Sequence, residues 1–103
     1  MDYCIEDMKK DINQILALCK MELNKISNGE YTEATKEQIE NHIIPEMEQL
    51  IDVLRLDKIP PKGERWLLSV AYITRGWNWN INNCSELAGS LALLDNKYRY
   101  ELE

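Results

Sequence analysis

His42 is the chain's single histidine, and it has Glu40 two residues before it and Glu46 four after. An imidazole flanked by carboxylates is the raw material of a metal site or of general acid–base chemistry. The spacing argues against both. Di-iron bundles draw paired Glu-x-x-His motifs from two helices, and a catalytic zinc needs three protein ligands; neither set can be read here. His42 is expected to be a boundary residue beside Ile39 and Ile43, with no metal and no cofactor.

The nucleophiles are no more promising. Ser69 and Thr74 fall in an apolar stretch read as helix, where a hydroxyl bonds back to the carbonyl of the preceding turn. Cys4, Cys19 and Cys84 are odd in number and never form CxxC, so they read as reduced structural thiols. The four glycines are scattered singly, which leaves no phosphate-cradling loop. No catalytic residue is assigned, and the chain reads as a non-enzyme.

Charge narrows the partners. With a pI near 4.8 and no cluster of lysines or arginines, the chain lacks the basic footprint of a nucleic-acid reader. The amphipathic stretches carry acidic or mixed polar faces, unlike membrane-surface helices. No window reaches membrane-span length and the N-terminus shows no signal-peptide run, so the expected compartment is the cytoplasm.

The formal charge of −6 is concentrated in one place. Residues 30–52 hold Glu30, Glu33, Glu37, Glu40, Glu46, Glu48 and Asp52 against Lys36 alone. The plain reading is a solvated helix face. The sharper one is a docking surface whose negative field steers a basic protein onto Glu33, Glu37, Glu40, Glu46 and Glu48. Its most concrete form is an immunity- or antitoxin-like inhibitor, a comparison resting on size, charge and class. The reading from another class is a small helical enzyme or ligand-binding domain, with a pocket beside the loop 77–83 and Trp77 and Trp79 in its wall. A self-associating module, such as a homodimer, is the third.

The elements that must position these residues are helices. At 103 residues and 45% hydrophobic content, the chain has room for one domain spanning 1–103 and one core. In residues 3–27, Ile5, Met8, Ile12, Ile15, Cys19, Leu23 and Ile26 recur in steps of three and four. Asp2 is placed to cap this helix and Asn28-Gly29 to end it. Thr35 and Gln38 form a capping box that opens a second helix over 36–56, with Ile39, Ile43, Met47, Leu50 and Leu54 as its buried stripe. Pro45 should kink that helix without breaking it, because the stripe stays in phase across the proline.

Asp57–Gly63 reads as a rigid loop whose Pro61 starts the third helix. That helix, about 64–75, is apolar on every side and is expected to be central, with Trp66, Val70, Ile73 and Trp77 sharing one stripe. Gly76 is expected to end it in the left-handed conformation, with Trp77 folding back on Tyr72. An ordered WNWN loop comes next. Asn83 and Glu86 then cap a last helix carrying Leu87, Leu91, Leu94, Tyr98 and Leu102, which frays beyond Asp95-Asn96. The fold class is all-α, a small antiparallel four-helix bundle.

Overall fold

The computed structural model describes residues 3–77, 79 and 85–102. They form an all-α bundle of four helices, about 41 × 24 × 24 Å. Helix α1 is Ile5–Ser27. Helix α2 covers residues 36–55, with Lys36–Gln38 and Ile44–Arg55 in α geometry and Ile39–Ile43 between them in π geometry. Helix α3 is Leu68–Arg75 and α4 is Glu86–Tyr100. Among the described residues, no helix is long and apolar enough to cross a membrane.

The amphipathic stripe of α1 buries Met8, Ile12, Ile15 and Cys19. Asp2 lies outside the described residues, and Cys4 is the N-cap. The Asp7 carboxylate accepts from the Cys4 backbone N–H and thiol, each at 3.2 Å. The backbone bond above all holds the Asp7 carboxyl below its ordinary range. At the far end Gly29 has φ +79°, and the N–H of Glu30 reaches the Lys25 carbonyl while that of Gly29 reaches Ile26. This is the Schellman closure, and the positive φ is where glycine costs least.

Helix α2 opens on the expected capping box: Thr35 Oγ1 accepts from the Gln38 N–H at 3.1 Å, and Gln38 Oε1 accepts from the Thr35 N–H at 3.0 Å. The helix continues through Pro45. Proline has no N–H for the Asn41 carbonyl, and the chain accommodates it by widening the turn before it, where the Ile44 N–H reaches back to Ile39. The apolar stripe stays on the core side, with Ile39, Ile43, Met47, Leu50 and Leu54 all buried. A second Schellman closure ends α2, this time with Asp57 at φ +55° and Lys58 bonded to Val53.

The third helix is shorter than 64–75. Lys62–Glu64 is a single 3-10 turn, and the chain from Arg65 to Leu67 is extended. Extended backbone alternates its side chains, so Arg65 and Leu67 point inward while Trp66 is 54% exposed. The stripe expected from Trp66 is therefore absent. Arg65 is buried because it finds acceptors: Nε donates to the Pro60 carbonyl at 2.7 Å, and one terminal nitrogen donates to the carbonyls of Tyr98 and Leu102 at 3.1 and 2.6 Å. Those last two carbonyls lie in the final turn of α4 and just beyond its end, where a cation is favourable. Helix α3 itself buries only Ser69 and Ile73. The element between the others is α1, which packs on both α2 and α4, whereas α3 lies chiefly on α4.

Gly76 ends α3 at φ −126°, so the left-handed cap expected there does not form. Trp77 nonetheless folds back: its N–H donates to the Tyr72 carbonyl at 2.8 Å. Asn83 and Cys84 lie outside the described residues, and α4 is capped by Ser85, whose hydroxyl accepts from the Ala88 N–H at 3.2 Å. Far from fraying at Asp95-Asn96, α4 runs to Tyr100, and Leu102 beyond it is buried in a bridge with Tyr3. The buried side chains of all four helices form one cluster.

Candidate functional site

The N-terminus of α3 has an unhelpful N-cap residue, Leu67, whose side chain offers no acceptor. Two carboxylates from other helices supply what it lacks. Asp95 on α4 accepts the Leu67 N–H at 2.9 Å. Glu46 on α2 accepts the N–H groups of Leu68 and Ser69 at 2.6 and 3.0 Å, one on each oxygen. Three successive amides are thus satisfied by α2 and α4, and the helix dipole reinforces both contacts.

An aromatic ladder lies beside this junction. His42, inside the π segment, meets Tyr72 and Trp77 edge-on, with ring centroids 5.5 and 5.6 Å away. Tyr72 and Trp77 are 5.3 Å apart, and Trp77 and Trp79 5.4 Å. Trp79 is buried and donates its indole N–H to Gln38 Oε1 at 3.2 Å, so the capping glutamine of α2 also holds Trp79. His42 is half-buried at the core boundary, as expected.

Between α2 and α3, against this ladder, is a cleft of about 180 Å³. Asn41, His42, Pro45, Glu46 and Gln49 form its α2 wall, and Leu68, Ser69 and Tyr72 its α3 wall. Trp77 and Trp79 do not line it; Trp77 packs directly behind two residues that do. Asn78 and residues 80–83 of the expected pocket loop lie outside the described residues.

The five acids singled out from the sequence are placed differently from one another. Glu37, Glu40 and Glu48 are exposed, fall within about a quarter-turn of α2, and make no ion pair among the described residues. Glu33 is half-buried in the connection before α2. Glu46 is turned inward to α3. Glu48 also borders an open groove between α1 and α2, with Leu16 and Ile51 as its apolar floor and Asp52 alongside. No signal in the sequence points to the Glu46 contact, because its partners are backbone amides 22 and 23 residues away.

The remaining candidates behave as structural groups. Thr74 bonds back to the carbonyls of Val70 and Ala71, and burial pushes the Cys19 thiol up to about 11. Among the described residues no cluster of three or more metal-ligating side chains occurs. No family model matches the chain, and neither a curated protein nor a solved structure does.

Proposed function

We propose that the protein is a non-enzymatic interaction module that docks a basic protein partner through the outer face of α2, in the manner of an immunity- or antitoxin-like inhibitor. The observation that carries this reading is the division of labour among the acids. Glu46, Asp95 and Asp11 serve the fold, whereas Glu37, Glu40 and Glu48 stand exposed on one side of α2 without ion pairs among the described residues. Like charges held on a rigid helix repel one another, and a cationic surface relieves that repulsion. The groove beside Glu48 adds an apolar floor with an acidic rim, the anatomy of a modest interface.

Such a surface acts mainly on encounter, so association is fast at low salt and slows as screening shortens the field. The test is capture of partners from a cell extract at low and moderate salt, comparing wild type with the Glu37→Gln/Glu40→Gln/Glu48→Gln variant. Salt-sensitive capture of a basic protein by wild type, weakened in the variant, supports the reading. Equal capture by both would leave these acids as solvated surface.

A second reading has its own observation. The cleft between α2 and α3 sits where a π turn, the sole histidine and an aromatic ladder meet, and π turns recur at functional sites.

A further inference from the structure

The chemistry of the α2–α3 cleft selects a particular kind of occupant. An anion is disfavoured, since the α3 amides that would hold one are already filled by the Glu46 carboxylate. Among the described residues no lysine or arginine lines the walls. What the cleft offers is one carboxylate, Glu46, whose two oxygens keep lone pairs beyond the two α3 amides they accept, together with the side-chain amide oxygens of Asn41 and Gln49. Pro45 and Leu68 add apolar wall, and Tyr72 adds a ring. At about 180 Å³ the space is smaller than the roughly 300–1,000 Å³ of a pocket for a drug-sized ligand. It has room for one long side chain.

We infer that this cleft receives a single arginine side chain presented by the basic partner. The aliphatic stem lies along Pro45 and Leu68, and the guanidinium reaches the Tyr72 ring and the surrounding acceptors. Arginine suits the site better than lysine: its plane stacks on an aromatic face, its five donors match several acceptors at once, and it sheds water more readily. The groove at the chain ends makes a poorer receptor. There the Tyr3 hydroxyl donates to Asp11 at 2.6 Å and Lys97 lies 3.5 Å from the same carboxylate, so that acid already has a cation and a donor, and Lys10 and Lys97 both stand in the lining.

The inference deepens the docking reading and rests on it, but it is tested without the partner. The intact protein is titrated with N-acetyl-arginine methylamide, its lysine counterpart and its neutral citrulline counterpart. Amide shifts of Leu68 and Ser69 and tryptophan fluorescence report binding. The expected result is a saturable change with arginine, weaker with lysine, and weaker by about tenfold or more with citrulline. Gln49→Lys puts a cation into the cleft from an exposed position that the fold tolerates, and it should abolish the response. No saturable change with arginine, an equal change with citrulline, or a response unaltered by Gln49→Lys would overturn the arginine receptor. If arginine fails while the triple glutamine variant still loses its partner, docking stands and the receptor falls. If partner capture is also unchanged, both fall.

Discussion

The Glu46 carboxylate of α2 accepts the Ser69 backbone N–H at the start of α3, across 3.0 Å and 23 positions of chain. With its second bond to Leu68 it acts as a helix N-cap supplied from a different helix. It therefore fixes how α2 and α3 meet, and with them the cleft. Glu46→Ala should cost about 1–2 kcal/mol, the scale of a lost cap. Glu46→Gln keeps one acceptor oxygen and should cost less. Glu48→Ala, on the exposed side, should stay within about 0.5 kcal/mol of wild type. Urea unfolding of the three variants checks the order.

Arg65 is a buried cation whose three hydrogen bonds all end on backbone carbonyls, with its guanidinium 5.7 Å from the Tyr98 ring centre. Removing it leaves those carbonyls without donors in a buried place. Arg65→Met should cost roughly 3 kcal/mol or more. Arg65→Lys should recover only part, since an ammonium cannot span the same acceptors as a fork. A lysine variant melting with wild type would show that charge alone suffices.

At the helix ends Asp57 takes the left-handed conformation that Gly76 does not. Gly76 has a negative φ, and among the described residues a Cβ there would meet only the Tyr72 carbonyl oxygen, at an ordinary 3.6 Å. Gly76→Ala should be neutral or stabilising by up to about 1 kcal/mol, through the unfolded chain. Gly29→Ala, at φ +79°, should cost about 1 kcal/mol. Asp57→Gly should gain about 0.5 kcal/mol by relieving the strain at φ +55°. Thermal melts of the three single variants separate these signs.

Cys19 is fully buried and its thiol is raised from 9.0 to about 11, first by burial and then by Glu22. Because the neutral form is favoured in the folded state, its contribution is complete below 9.0 and is lost as the pH rises towards 11. In a Cys84→Ser background, Cys4 should react first with a thiol reagent, and Cys19 only after unfolding. Mass spectrometry of a timed labelling series checks this; rapid native labelling of Cys19 would contradict it.

The residue order alone determines the four helices, the stripes of α1, α2 and α4, the capping box at Thr35 and the Schellman closure at Gly29. Each depends on neighbours three to five positions apart, where side-chain type acts directly on backbone geometry. The continuity of α2 through Pro45 is legible in the same way, because an apolar stripe that stays in phase rewards keeping the helix. The start of α3 is different. Trp66 and Arg65 invite a helix by composition, yet Arg65 turns inward because two of its acceptors lie 33 and 37 residues away, in and just past α4. Likewise Glu46 belongs, by local pattern, with the exposed acids of α2, and only the approach of α3 turns it into a cap. Tertiary structure decided those roles, and with them the cleft. The free backbone amides and carbonyls at helix ends must find partners, and which side chain reaches them depends on how the helices pack.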